Sequence, residues 1–151
     1  MRAVVQRVIN TTVSVDGEIK GSAGKGYNVL LGVMNGDGEA QAELLAAKIA
    51  KLRVFEDENG KMNKSILDIG GEILVISQFT LCADIRKGNR PSFTDSAPPQ
   101  EANRLYEYFC ECLRSNGVSK VETGVFAADM LVGIQNDGPV TILMDTEIWS
   151  R

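Results

Sequence analysis

The mix of apolar and polar positions over residues 1–7 reads as an alternating strand, and β-branched side chains gather over 4–8 and 12–15, so the chain opens as antiparallel sheet. Asp16-Gly17 followed by Glu18-Ile19-Lys20 supplies a tight hairpin. After Gly24-Lys25-Gly26, residues 27–33 form a largely apolar run of strand length that belongs at the centre of a sheet. In 39–53 the period changes: Leu45, Ile49 and Leu52 recur at helical spacing, with Lys48 and Lys51 on other faces and near the negative end of the helix dipole. Val54-Phe55 reads as a short strand, Glu58-Asn59-Gly60-Lys61 as a turn, and 66–71 as a connection. A second helix starts at Pro99 or Gln100, places Leu105, Phe109 and Leu113 on one face and stops at Asn116-Gly117. Residues 121–125, 131–135 and 140–145 supply the remaining strands. This order predicts a mixed α/β, α+β-like single domain over 1–151, with a largely antiparallel, barrel-like sheet and two main helices.

One strand carries the most informative residues. Glu72-Ile73-Leu74-Val75-Ile76 reads as buried strand that continues without a turn into Ser77-Gln78-Phe79-Thr80-Leu81. It delivers two hydroxyls and a carboxamide to the rim of a core, where polar groups left unpaired are costly. Phe79 on its own reads as a core aromatic. A second feature, Asn136-Asp137-Gly138-Pro139-Val140-Thr141, sits between two strand-like runs. Asp-Gly there reads as a hairpin turn, with Pro139 tolerated as the first residue of the next strand.

Composition narrows the chemistry. The chain of 151 residues contains no histidine, which removes Ser-His-Asp triads, Cys-His pairs and His-ligated zinc. No cofactor and no metal constellation is expected; Glu56-Asp57-Glu58 reads as solvated surface. Cys82, Cys110 and Cys112 lack CxxC spacing and are odd in number, so they read as free thiols. The net charge of −4 argues against coating DNA or RNA through phosphates. Arg86-Lys87-Gly88-Asn89-Arg90 is a local basic exception, inside a polar loop over 84–99 that reads either as solvated or as a phosphate contact. No stretch approaches the roughly 20 apolar residues that span a bilayer, so a cytoplasmic protein without membrane contact is expected.

Taken together, Ser77-Gln78-Phe79-Thr80-Leu81 and Gly138-Pro139-Val140-Thr141 resemble the paired signatures of the D-aminoacyl-tRNA deacylases. The opening Met1-Arg2-Ala3-Val4-Val5-Gln6-Arg7-Val8, Arg53-Val54-Phe55-Glu56-Asp57, Arg86 to Phe93, and Phe126-Ala127-Ala128-Asp129-Met130 extend the likeness over the chain. The resemblance implies a homodimer in which the Gly138-Pro139 motif of one subunit reaches the active site of the other. The peptide would be cis, its carbonyls facing the substrate α-amino group and excluding an L side chain. Glycine offers nothing to exclude, so glycyl-tRNA mischarged on tRNA(Ala) would also be cleaved. The Phe79 and Thr80 amides could meet a developing oxyanion, with Ser77 and Gln78 completing the site. Thr80 is then a positioning group before it is a nucleophile, because the vicinal ribose hydroxyl can activate water. Arg7 would orient the Gly-Pro carbonyls. Phe126 and Met130, core filling by composition, would meet the terminal adenine, and Arg86, Lys87 and Arg90 the acceptor-stem phosphates of tRNA. Two other readings remain: a non-catalytic dimeric binding module for an amino compound or RNA end, and an esterase with Cys82 as nucleophile.

Overall fold

The strand β1, Arg2–Val15, organises the sheet. The computed structural model describes residues 1–149; Ser150 and Arg151, at the end of the tail after Trp149, lie outside the described residues. One edge of β1 pairs antiparallel with β3 (Gly26–Gly32) from Arg2↔Gly32 to Val8↔Gly26, then with β2 (Glu18–Ala23) from Thr11↔Ala23 to Val15↔Glu18. Its other edge pairs antiparallel with β8 (Leu131–Asp145) along its length. A small antiparallel pair, β4 (Phe55–Glu56) and β5 (Met62–Lys64), stands apart. β6 (Glu72–Ser77) joins β3 in parallel, and β7 (Lys120–Thr123) joins β6 in parallel. The order β2-β1-β3-β6-β7 puts β3 at the centre, as its apolar run implies.

The sheet nearly closes where β2 approaches β7. Ser22 N–H donates to Glu122 Oε1 at 3.0 Å, and a side chain at Gly21 would lie 2.4 Å from the Thr123 carbonyl oxygen. Only glycine allows that approach. Helices α1 (Glu39–Lys51) and α3 (Pro99–Ser115) cover one face and bury Leu45, Ile49, Leu105, Phe109 and Leu113 against Val5, Val29, Ile73 and Val75. Each such side chain contributes about 1.5–3 kcal/mol by leaving water. The alternate residues of β6, Leu74 and Ile76, point to the other face and join Val13, Ala23, Met130 and Val132 in a smaller cluster. α4 (Thr146–Trp149) follows β8. Among the described residues no helix is long and apolar enough to cross a membrane.

Three local expectations change. Residues 66–71 contain a helical turn, α2 (Ile66–Ile69), started by a capping box in which Ser65 Oγ accepts from Asp68 N–H and the Asp68 carboxylate accepts from Ser65 N–H. Residues 131–135 and 140–145 are one strand rather than two joined by a hairpin, because both halves pair with β1. The continuous strand expected through Leu81 ends at Ser77: Gln78 N–H makes a last bond to Leu31 O at 2.7 Å, and Phe79–Cys82 coils into a 3-10 turn.

Candidate functional site

β3 ends at Gly32, so beyond Gln78 the chain has no strand to pair with and must satisfy its own backbone. The turn does so from Leu81 N–H to Gln78 O and from Ala83 N–H to Thr80 O, both 3.2 Å. Its leading amides, Phe79 and Thr80, have no acceptor inside the turn, which is the general condition of a helical N-terminus. Gln78 Nε2 donates to Thr80 Oγ1, so the carboxamide and hydroxyl hold each other at the surface rather than serving buried amides. Phe79 is 55% exposed and not a core residue; its ring meets Phe93 edge-on at 5.0 Å.

Ser77, Gln78 and Phe79 line a cleft of about 810 Å³ whose other walls are Phe93, the first turn of α3 at Pro98, Pro99 and Ala102, and the segment Phe126 to Met130. Phe126 and Met130 are half-buried, and they do belong to the cleft. The Phe126 ring lies 6.2 Å from that of Tyr106. Ala127 between them holds a left-handed φ of 65°, a conformation costing roughly 1–3 kcal/mol that tends to persist where a site fixes it. The arrangement is a largely apolar slot with the Ser77 hydroxyl and the Gln78 carboxamide at one end, while Thr80, one residue beyond Phe79 in the turn, is not among its lining residues. It suits a flat ring and an adjoining acyl group.

Gly138 and Pro139 are not part of this cleft's lining. Opposite β1 residues Gln6 to Val8, β8 runs from Thr141 to Asn136, so the intervening residues bulge from the ladder. The bulge is tied on both sides. Asn136 Oδ1 accepts from Val140 N–H at 3.1 Å, and Asn136 Nδ2 donates to Thr141 Oγ1 at 2.8 Å. Arg7, buried opposite it, donates from Nε to Asp137 O at 3.1 Å and from Nη1 to Val54 O at 2.6 Å, with the Asp137 carboxylate 3.5 Å away. The Gly138-Pro139 peptide bond is cis, and both residues are exposed. β8 pairs only with β1 among the described residues, leaving its outer edge open, with Leu131 76% and Leu143 73% exposed.

The loop over 84–99 is pinned by bridges Asp84↔Ser92 and Met34↔Ser96. Arg86 forks onto Asp84 through Nε at 2.9 Å and Nη2 at 2.7 Å, and these bonds hold the Asp84 carboxyl down to about 2. Arg86 is therefore committed within the loop, while Lys87 and Arg90 are exposed. None of the three lines the cleft of Ser77. Cys82 is 1% exposed, and burial raises its thiol pKa. It points its sulfur at Val33 O, 3.5 Å away, and cannot serve as a thiolate nucleophile at neutral pH. The sequence reading missed Phe93 and the Pro98-Pro99 wall. A Pro-Pro pair opening a helix after a long loop was the available signal for the latter.

A family model described as D-Tyr-tRNA(Tyr) deacylase matches residues 4–145. A protein of Ruegeria pomeroyi named D-aminoacyl-tRNA deacylase is 61% identical over 145 residues, covering 96% of this chain and 99% of its own. One of the same name from Anaeromyxobacter dehalogenans is 59% identical over 146 residues, 97% of each chain. Among solved structures, one named c-Myc DNA Unwinding Element Binding Protein is similar with a TM-score of 0.91 and 46% identity, covering 96% of this chain and 98% of its own. A probable eukaryotic D-amino acid tRNA deacylase shares the fold at a TM-score of 0.80 and 16% identity, covering 95% and 97%.

Proposed function

The chain belongs to the D-Tyr-tRNA(Tyr) deacylase family and is a D-aminoacyl-tRNA deacylase, and on that premise we propose how its cleft and its bulge divide the work between two copies. The cleft takes the aminoacylated 3′ end of tRNA, with the terminal adenine against Phe126 and Met130 and the ester carbonyl at the Ser77 to Thr80 turn. Its volume of about 810 Å³ falls within the range of ordinary ligand sites. The Phe79 and Thr80 amides donate to the oxyanion as the carbonyl becomes tetrahedral. One such donor is commonly worth 10²–10³ in kcat. Ser77 and Gln78 complete the site, and Gln78 fixes the Thr80 hydroxyl. Thr80 positions the substrate, and the vicinal ribose hydroxyl of the RNA end activates the attacking water, since the chain has no histidine to do so.

Chiral selection comes from a second copy. The observation that carries this is that Gly138 and Pro139 stand exposed on a bulge of the open-edged strand β8 while no cleft residue of the same chain replaces them. In the homodimer the two carbonyls of one subunit accept from the substrate ammonium in the other subunit's cleft, and the rigid peptide fills the space an L side chain would need. Arg7 holds the bulge in place through Asp137. Glycine has no side chain to exclude, so glycyl-tRNA on tRNA(Ala) is cleaved as well. Lys87 and Arg90 meet acceptor-stem phosphates, with Arg86 contributing less because Asp84 neutralises it. The reading places the enzyme in the cytoplasm, at the end of tRNA charging.

The test mixes two inactive variants. Phe79→Pro removes one oxyanion amide, and Gly138→Val puts a side chain into the neighbouring site. Unfolded together and refolded, they should regain about one quarter of wild-type turnover, since about half of closed dimers are mixed and each of those holds one intact site of two. No recovery, with refolding verified by circular dichroism, would exclude the shared site.

A further inference from the structure

The turn Phe79–Cys82 is only four residues long, so the direction of its leading amides must be set by what grips its far end. Arg2, at the start of β1, does this from the neighbouring strand. Its Nη1 donates to Leu81 O at 2.9 Å, and its Nε donates to the Asp145 carboxylate at 3.2 Å. Arg2 faces Gly32 across the β1–β3 register. Gly32 is where the turn lies against the sheet: a Cβ there would stand 3.0 Å from Leu81 Cβ and 3.2 Å from Gln78 O. Asp145 is 13% exposed and Arg2 31%, so the guanidinium is held between two fixed acceptors rather than waving in solvent. Asp145 is also the last residue of β8, the strand bearing Gly138-Pro139.

We propose that Arg2 is a positioning residue for ester hydrolysis: oriented by Asp145, it clamps the Leu81 carbonyl and thereby aims the Phe79 and Thr80 amides into the cleft. The proposal rests on the reading of those amides as oxyanion donors. Arginine is required because its planar fork serves the carboxylate and the carbonyl at once, with each bond in a fixed direction. A lysine ammonium keeps the charge but is a point donor on a flexible stem. The clamp acts on the transition state, when the carbonyl oxygen moves toward the amides, and not on ground-state binding. Its loss therefore lowers kcat and leaves KM in place.

The test compares Arg2→Lys, Asp145→Asn and the double variant of the full chain on D-tyrosyl-tRNA, with thermal midpoints recorded for each. Expected are a kcat about 10-fold lower for Arg2→Lys, a smaller drop for Asp145→Asn, a double variant no worse than Arg2→Lys, and KM within about two-fold of wild type. Wild-type kcat in Arg2→Lys would overturn the proposal. So would a KM rise that matches the kcat loss, or a fall in kcat that tracks the thermal midpoint. Phe79→Pro against Phe79→Ala tests the underlying reading separately, because proline is tolerated as the first residue of a helical turn. If Phe79→Pro is about 100-fold slower than Phe79→Ala while Arg2→Lys is unimpaired, the amides stand and Arg2 falls. If the two Phe79 variants are equal, the oxyanion reading fails and the Arg2 proposal fails with it.

Discussion

Replacing Arg7 by methionine keeps a long side chain in place but removes the guanidinium that joins β1 to the bulge. Two carbonyl oxygens lose their donor, Val54 O at 2.6 Å and Asp137 O at 3.1 Å. A buried acceptor left without a partner costs about 1–3 kcal/mol. Val54 O bears that cost in full, whereas Asp137 O, only partly buried, recovers some from water. The ion pair to Asp137 adds little because that carboxylate is 44% exposed. Removing a buried charge also returns part of its desolvation cost. The net loss is about 2–3 kcal/mol. With a urea dependence of about 2 kcal/mol per molar for a chain of this size, the unfolding midpoint should fall by about 1–1.5 M at fixed chain concentration. The unanchored bulge should also relax discrimination, so the ratio of D- to L-tyrosyl-tRNA cleavage falls in the same variant. Far-UV circular dichroism in urea gives the first quantity and aminoacyl-tRNA hydrolysis the second. A variant with an unchanged midpoint and undiminished D-selectivity would refute the assigned role of Arg7.

Gly26→Ala should be far worse than Gly17→Ala, although both glycines have positive φ: a Cβ at Gly26 would stand 1.8 Å from Glu72 O, whereas that at Gly17 meets open space. Thermal midpoint and soluble yield should show about 1 kcal/mol lost at Gly17 and more than about 4 at Gly26. Burial raises the thiol pKa of Cys82 and carries Cys110 up to about 12. Iodoacetamide at neutral pH should therefore leave Cys82, Cys110 and Cys112 unlabelled by mass spectrometry and activity intact, until urea exposes all three. The Asp84 carboxyl is depressed by its bonds to Arg86, so their contribution is present above the ordinary value of 3.8 and is lost as pH falls through about 2. A carboxyl-carbon NMR titration should show that midpoint, and Arg86→Gln should return it toward 3.8.

What the sequence revealed depended on whether the determinant was local. Residues 27–33 announce β3 because a central strand is apolar on both faces, and Leu105, Phe109 and Leu113 announce α3 because they repeat along one helical stripe. The Asp16-Gly17 hairpin carries its own backbone chemistry, with both residues at positive φ. Ser77 to Leu81 misled, since no glycine or proline marks the point where β6 loses its partner; strand pairing is a tertiary fact. The same limit hid the continuity of β8, visible only once β1 is seen to run alongside both halves. α2 was legible and missed: Ser65 followed three residues later by Asp68 is a capping signal. At the site, residue types singled out Ser77 to Thr80 and Gly138-Pro139 without showing the turn and the bulge they form, and the resemblance supplied the cis peptide that the structure contains. That Arg86 is bonded to Asp84 depends on how their loop folds, and that Arg2 reaches Leu81 on how distant segments fold together.

Hydrolysis of D-tyrosyl-tRNA and L-tyrosyl-tRNA by the purified chain, side by side and with chelator present, bears most directly on the division of labour between cleft and bulge. The D-ester should disappear rapidly and the L-ester persist, with Thr80→Ala retaining D-specific turnover because the ribose hydroxyl, not Thr80, activates water. Equal cleavage of both esters would contradict the Gly138-Pro139 filter, and negligible cleavage of either would leave a binding module in place of an enzyme.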